Sequence, residues 1–238
     1  MTRVPMNRVV LLTFLLFIGQ VALADGGGAR PATVELSKLL PPPPAAASAA
    51  AQHDLQVVLA AQQSRTAAEM AAAKADTERS VFRFADALGP SMQPTTLPKT
   101  AALFARVAAL DKQAVKATKD YWRHPRPAIV SDQVHPLAPE KPDDWSYPSG
   151  HSTFGYTTAV LLANMLPEKR DAIFARADLY AQHRIVMGAH FPSDVEAGRI
   201  AGTVIAAQLL QDPLWHADFV AARDELRKSL ALKPATDG

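Results

Sequence analysis

Apolar residues recur at intervals of three and four along most of this sequence, and this periodicity constrains the fold more than any other feature. Leu103, Val107 and Leu110 are one example. Such spacing places apolar side chains on one face of a helix, whereas a half-buried strand needs alternation of apolar and polar residues. Alternation of that kind is almost absent. The sequence therefore predicts an all-α protein built as a single-domain helical bundle.

Prolines and glycines divide the helical pattern into segments. An alanine-rich segment begins at Ala45 and is predicted to continue to Gly89, and a second helix is predicted to start after Pro98 and to end near Trp122. Further helices are predicted at 152–166, 168–187, 194–211 and 213–231. We find no internal repeat.

The exception to this pattern is the stretch 123–149, which contains six prolines and no apolar period. A connection this long inside a compact domain is usually functional or disordered. Trp145 and Tyr147 favour an ordered loop.

The first residues are typical of a secretory signal peptide. Arg3 and Arg8 precede the apolar run VVLLTFLLFIG, and a small-residue cleavage pattern ends at Ala24. The alternative, a membrane anchor, needs about 20 apolar residues, and this run is shorter. We therefore expect residues 1–24 to be removed and the mature protein to be soluble and periplasmic.

The remaining chain divides into two regions. Residues 25–49 are predicted to form an extended, proline-rich lead-in, because the four prolines at 41–44 favour polyproline II over helix. Residues 50–238 are predicted to form the helical domain. No stretch after residue 24 is apolar enough to suggest a membrane span.

Charge and cysteine content exclude several classes of function. The whole chain has 25 basic and 23 acidic residues, and loss of the two arginines in the signal peptide leaves 23 of each. This balance gives no basic excess for binding nucleic acid or an anionic membrane. Cysteine is absent, which excludes disulfides and thiolate metal sites. An exported domain without disulfides needs a hydrophobic core, and its length allows one.

Three short clusters carry residues that suggest chemistry. They are KDYWRHPRP at 119–127, PSGH at 148–151 and RIVMGAHFPSD at 184–194. Each alone fits an ordinary structural role, such as charges near helix ends or a helix N-cap at Ser149. Their combination is more informative than any one of them.

The cations of these clusters suit a dianionic phosphoryl group. The guanidinium groups of Arg126 and Arg184 match its oxygens two at a time, and Lys119 adds a point charge. Backbone N–H groups at Ser149 and Gly150 add further donors. Arg184 extends a partly apolar helical face and therefore needs an anion to offset its desolvation.

The histidines suggest how that phosphoryl group is transferred. His190 and Asp194 are four residues apart, close enough for a carboxylate to fix the imidazole tautomer and leave the other nitrogen as a nucleophile. Asp194 could instead pair with Arg184. His151 is then available to protonate a leaving oxygen.

The three spacings resemble the type-2 phosphatidic acid phosphatase (PAP2) superfamily, whose pattern is K-x6-R-P, P-S-G-H and S-R-x5-H-x3-D. Within it, the chain is similar to the bacterial class A non-specific acid phosphatases, which are exported, soluble and all-helical. LLPPPPAAAS at 39–48 resembles their proline tract, and SYPSGH and GAHFPSDVEAGR resemble their core. The resemblance covers nearly all of the mature chain.

This resemblance implies a helical bundle of the PAP2 and vanadium haloperoxidase type that hydrolyses phosphomonoesters without cofactor or metal. It implies inhibition by phosphate or vanadate and a possible side activity of phosphotransfer. The implied phosphate-binding residues are Lys119, Arg126, Ser149, Gly150 and Arg184, and the implied catalytic residues are His190 as nucleophile, Asp194 as its orienting partner and His151 as proton donor. One departure is His183, which stands where the family has serine.

Three alternatives remain at this point. A vanadium-dependent haloperoxidase shares the anion pocket, although the short chain and its lead-in weigh against it. A phospholipid or undecaprenyl-pyrophosphate phosphatase would normally be embedded in the membrane. A phosphate-binding module without turnover would not need the nucleophile and acid. Gly198 and Gly202 also predict close helix packing, either within the monomer or between subunits of a homo-oligomer.

Overall fold

The structure is a computed structural model that describes residues 34–139, 141 and 144–235. All regular secondary structure in these ranges is helical, which confirms the predicted fold class. The α-helices are α1 (Leu36–Leu39), α2 (Ala49–Ser64), α3 (Ala67–Ala75), α4 (Ala85–Leu88), α5 (Pro98–Trp122), α6 (Pro127–Val130), α7 (Gly150–Met165), α8 (Arg170–Val186), α9 (Pro192–Gln211) and α10 (Pro213–Ser229). Short 3₁₀ turns occupy Val81–Phe84 and Pro167–Lys169.

Helix α7 forms the centre of the bundle. It is buried along most of its length, and a helix without a polar face belongs in a core. Its neighbours are α9, on which it packs most extensively, then α8 and α5. Helix α10 packs mainly on α5. The first turn of α7 is therefore held by three other helices, and this turn carries the PSGH cluster.

The close contact between α7 and α9 depends on two glycines. A Cβ on Gly198 would lie 2.6 Å from the Ser149 carbonyl oxygen, and one on Gly202 would lie 2.8 Å from the Thr157 nitrogen. No side chain fits in either space. The close packing predicted from Gly198 and Gly202 thus occurs within the monomer.

The prediction of one helical segment from Ala45 to Gly89 is wrong. Ser48 caps α2, and Thr66 begins a new helix, α3, with a capping box completed by Glu69. Helix α3 ends at Ala75, and the chain continues through non-helical residues 76–80. Apolar spacing did not show these breaks because it persists across them, whereas the capping box was present in the sequence.

Part of the proline-rich lead-in lies within the described residues. One helical turn, α1, packs on α5, and the four prolines that follow it have no helical structure. The Pro41 carbonyl accepts a hydrogen bond from the Tyr147 hydroxyl, which fastens the lead-in to the long loop. The predicted signal peptide and residues 25–33 lie outside the described residues.

The described part of 123–149 is an ordered loop with a single helical turn, α6. The Ser146 amide donates to the His124 carbonyl over 2.7 Å, and Tyr147 is buried. These contacts return the chain from the end of α5 to the start of α7. In the described residues, no helix combines the length and apolar character needed to cross a membrane.

Candidate active site

His190 and Asp194 meet at the start of α9, where the chain turns before Pro192. The Nδ1 atom of His190 lies 3.3 Å from Oδ2 of Asp194 and 3.3 Å from Oγ of Ser146. Asp194 Oδ2 also accepts hydrogen bonds from the Ser146 hydroxyl and from the Phe191 amide. Both predicted partners are almost completely buried. Asp194 therefore orients the His190 ring, and Ser146 and Phe191 orient Asp194.

The other ring nitrogen of His190 faces the cations. Its Nε2 atom lies 3.3 Å from Nη1 of Arg126, and the residue lines a pocket of about 470 Å³. Burial, reinforced by Arg126, Lys119 and Arg184, holds the pKa of His190 well below its ordinary value. A neutral ring whose Nδ1 proton is directed at Asp194 has its lone pair on Nε2. That lone pair is available as a nucleophile in acid solution.

Burial raises the pKa of Asp194 to about 7, although hydrogen bonds from Ser146 and Phe191 and the charge of Lys119 oppose this shift. Its Oδ1 atom lies 3.7 Å from Nδ1 of His124. His124, a residue of the long loop, thus packs directly against the histidine–aspartate pair.

The three predicted cations line the same pocket, although they come from α5, the long loop and α8. Arg126 is fixed by hydrogen bonds to the Ala189 carbonyl (2.7 Å) and to the Asp144 carbonyl (2.7 Å) and carboxylate (2.8 Å). Lys119 Nζ donates to the Trp145 carbonyl and lies 3.7 Å from Asp144 Oδ1. Burial and Arg126 lower the pKa of Lys119 to about 8. Arg184 is buried near the end of α8.

The first turn of α7 closes the pocket. Ser149 is the N-cap, and its side chain accepts from the Ser152 amide. The structure differs from the expectation in one respect, because the Ser149 N–H already donates to the Asp194 carbonyl over 2.9 Å. Ser149 is fully buried and acts here as a cap. The Ser149 amide, which was predicted to bind an anion, therefore already has an acceptor. The free, positively polarised N–H groups of this helix start are those of Gly150 and His151.

His151 follows Gly150 and lines the same pocket. Its Nε2 atom lies 3.0 Å from the carbonyl oxygen of Thr77, which comes from the non-helical segment after α3. Burial, Arg184 and Arg79 hold the pKa of His151 well below its ordinary value. An anion between these cations would raise that pKa and favour the protonated ring.

The structure therefore brings seven of the eight predicted residues to one place, with Ser149 directly beneath them. In the described part of the chain, no group of three or more histidine, aspartate or glutamate side chains is arranged to hold a metal ion.

Comparison with known proteins agrees with this arrangement. The chain matches the PAP2 superfamily over residues 100–217. It is 33% identical over 186 residues to an acid phosphatase from Zymomonas mobilis, a match that covers 74% of this chain and 70% of the relative. The chain belongs to the PAP2 superfamily. The predicted family and the predicted class, a phosphoric monoester hydrolase of the acid phosphatase type, are confirmed.

Other relatives match shorter stretches. A non-specific acid phosphatase from Salmonella typhimurium is 29% identical over 148 residues, which are 60% of this chain and 59% of that protein. An undecaprenyl-diphosphatase from Sulfolobus acidocaldarius is 37% identical over 82 residues, 34% of this chain and 39% of that protein. Among solved structures, a transmembrane PAP2-type phosphatidylglycerolphosphate phosphatase from Bacillus subtilis superposes with a TM-score of 0.52 at 18% identity, covering 72% of this chain and 87% of that one. This last likeness shows a shared fold.

His183, which replaces the PAP2 serine, has a defined partner. It is buried, and its Nδ1 atom lies 2.7 Å from Oδ2 of Asp76, the residue that ends α3. Asp76 Oδ1 also accepts hydrogen bonds from Nε of Arg83 (2.8 Å) and from Nη2 of Arg176 (2.6 Å). Burial alone would raise the pKa of Asp76, but the hydrogen bonds from these three residues hold it well below its usual range. The histidine thus fastens α8 to the segment that contains Thr77.

Sequence reasoning missed several residues that the structure places at the site. Ser146 and Asp144 orient Asp194 and Arg126, and Thr77 and Arg79 come from a part of the chain expected to be helical. SYPSGH includes Ser146, so a signal for that residue was present. For Arg79 we find no sequence signal, because its position depends on where α3 ends.

Proposed function

We propose that this chain is an exported acid phosphatase that transfers the phosphoryl group to His190 and then to water. The observation that carries the proposal is the orientation of His190, with Nδ1 against Asp194 and Nε2 3.3 Å from Arg126 at the pocket wall. A module that only binds phosphate has no need for an oriented, neutral imidazole. This feature favours turnover over binding alone.

In the first step, Nε2 of His190 attacks phosphorus while the ester oxygen leaves. Lys119, Arg126, Arg184 and the first turn of α7 stabilise the charge on the phosphoryl oxygens, which is the largest contribution in reactions of this kind. His151 supplies a proton to the leaving oxygen. A protonated His151 can keep its hydrogen bond to the Thr77 carbonyl at one nitrogen and donate from the other.

In the second step, water attacks the phosphohistidine. His151, now neutral, accepts a proton from this water, and the bond between phosphorus and Nε2 breaks. An alcohol in place of water would yield a new ester, so we also propose phosphotransfer as a side activity. Export to the periplasm is proposed from the sequence of residues 1–24.

The proposed mechanism takes its positive charge from side chains rather than from a divalent ion. We expect purified protein to hydrolyse phosphomonoesters at an unchanged rate after exhaustive treatment with EDTA, and orthovanadate to inhibit competitively with the ester. Steady-state kinetics with and without chelator measure both. Loss of activity with EDTA that zinc or magnesium restores would contradict this mechanism.

The vanadium haloperoxidase alternative is tested with the same sample. Vanadate-loaded protein should show no peroxide-dependent halide oxidation under conditions in which the vanadate-free protein hydrolyses esters. Halide oxidation without ester hydrolysis would favour the alternative.

A further inference from the structure

The pocket is larger and more basic than the transfer of one phosphoryl group requires. Its volume of about 470 Å³ lies in the range that holds a whole small-molecule substrate, about 300–1,000 Å³. Beside the three cations already assigned to the phosphoryl group, four more basic side chains line it: Arg79, Lys112, Lys116 and Lys141. Two acidic side chains, Asp120 and Asp144, offset part of this charge.

Arg79 has the most informative position of these four. Its guanidinium lies against the first turn of α7, since a Cβ on Gly150 would be 2.9 Å from its Nη2. It is partly buried, and within the described ranges it forms no hydrogen bond and no ion pair. Asp111, Asp144 and Tyr180 act on Arg79 only from a distance. A desolvated cation without a direct partner in a binding pocket is placed to meet an anion of the ligand.

The position of Arg79 relative to His151 indicates which part of the ligand it meets. Both border the pocket beside Gly150, and the charge of Arg79 is one of those acting on the His151 ring. His190 forms a different contact, with its Nε2 atom 3.3 Å from Nη1 of Arg126. Because His151 protonates the leaving oxygen in the proposed mechanism, Arg79 lies on the leaving-group side.

Helix α5 also contributes basic side chains to the pocket. One face of α5 carries Lys112, Lys116 and Lys119, and Val115 lies on the same face. A Cβ on Gly150 would lie 3.4 Å from Cγ1 of Val115, so this face borders the first turn of α7. At a rise of about 1.5 Å per residue, Lys112 lies about 10 Å along the axis from Lys119. Lys116 is paired with Asp120 at 2.6 Å. Lys112 is exposed, is not paired in this way with any described residue, and lies on the face of α5 that borders Gly150.

We propose that Arg79, assisted by Lys112, forms a second anion subsite, and that the preferred substrates carry a second phosphate on the leaving group. This inference rests on the proposed function, because the leaving-group side is defined by His151. Diphosphates are the substrate class that places two phosphates closest together, and inorganic pyrophosphate is the simplest member.

The reaction with pyrophosphate uses the same steps. The bond from Nε2 of His190 to phosphorus forms as the bond from that phosphorus to the bridging oxygen breaks. The bridging oxygen leaves with the second phosphate and receives the proton of His151, while Arg79 and Lys112 hold the charge of that phosphate. Water then releases the first phosphate from His190, so that two orthophosphates result.

The test compares pyrophosphate with glycerol 2-phosphate, whose leaving group is uncharged, in wild-type protein, Arg79→Gln, Lys112→Gln and the double variant. Loss of one hydrogen bond to a charged group should lower the ratio of kcat/KM for pyrophosphate over that for glycerol 2-phosphate by about ten- to a hundredfold in Arg79→Gln. Arg199→Gln, an exposed arginine paired with Glu196 outside the pocket, is the matched control and should leave the ratio unchanged.

An unchanged ratio in both Arg79→Gln and the double variant would overturn the proposal, and so would equal losses on the two substrates. If Arg79→Gln does not fold, the variant Lys112→Gln tests the proposal instead, because Lys112 is exposed. Its ratio of kcat/KM for pyrophosphate over glycerol 2-phosphate should also fall, by a smaller factor. No change for Lys112→Gln in that case would count against the subsite.

A binding measurement separates this inference from the proposed function. By calorimetry, non-hydrolysable methylenediphosphonate should bind wild-type protein more tightly than orthophosphate does, and Arg79→Gln should abolish that difference. If the wild-type protein turned over no phosphate ester but kept this Arg79-dependent difference, the proposed function would fail and the subsite would stand. Equal binding of the two anions by wild-type protein would overturn the subsite whatever the turnover.

Discussion

At the scale of single residues, His190 and His151 have different environments and therefore different roles. His190 is held by Asp194 and Ser146 through Nδ1 and faces the cations with Nε2. His151 contacts a backbone carbonyl and forms part of the pocket wall. Environment rather than residue type thus separates the nucleophile from the acid.

The role of His151 predicts a dependence on the leaving group. An alkoxide from glycerol 2-phosphate is strongly basic and needs a proton, whereas nitrophenolate leaves without one. We expect His151→Ala to lose about 10²–10⁴-fold in kcat on the alkyl ester and considerably less on p-nitrophenyl phosphate. Steady-state kinetics on both esters measure this. Equal losses on both, with normal phosphoenzyme formation, would reduce His151 to a structural residue.

The positive charge around His190 predicts that its pKa will change when an anion binds. Burial and three neighbouring cations lower its pKa, so the ring of the protein without bound anion stays neutral and nucleophilic well below pH 6.5. A bound anion offsets those cations and favours the protonated ring, so saturating orthophosphate should raise the His190 pKa. NMR titration of ¹⁵N-histidine-labelled protein, with His190→Asn for assignment, measures both states. Titration of free His190 above pH 6.5 would be inconsistent with the structure.

At the scale of elements, the packing of α9 on α7 holds the pocket together. The Ser149 amide bonds to the Asp194 carbonyl, so the first turns of these two helices are joined next to the site. The glycines of α9 allow this approach. The spacing of Gly198 and Gly202 predicted close packing, but only the structure shows which helix is the partner.

Gly202→Ala tests this packing by the sign of its effect. Helix propensity alone would make the alanine variant more stable by about 1 kcal/mol. The contact with the α7 backbone instead predicts a loss of about 1–3 kcal/mol in the free energy of unfolding. Urea unfolding measures it, with Thr203→Ala on the exposed face of α9 as control. A stabilised Gly202→Ala variant would show that the helices are not in such close contact.

The elements also show what the sequence could and could not predict. Helix α5 was predicted at both ends because Pro98 starts it and the apolar period stops at Trp122. The clusters at 119–127, 148–151 and 184–194 were predicted to meet because phosphoryl chemistry needs them together. Arg79 and Thr77 were missed because apolar spacing continues past the end of α3. The engaged amide of Ser149 was missed because its acceptor lies on another helix.

At the scale of the whole molecule, a chain of nearly balanced charge brings seven of its Lys and Arg side chains to one pocket. Basic side chains line the cavity from α5, the segment after α3, the long loop and α8. A bundle with α7 in its centre brings these distant segments together without metal ligands or disulfides among the described residues. The position of the positive charge is thus a property of the tertiary fold.

Trapping the phosphoenzyme tests the role of His190 most directly. Wild-type protein is mixed with a ³²P-labelled phosphomonoester, quenched in alkali within one turnover, and digested for peptide mapping. We predict label that is stable to alkali and labile to acid, located on His190 and absent from His190→Ala. Label on a serine, or rapid single-turnover hydrolysis without any labelled protein, would contradict phosphoryl transfer through this histidine.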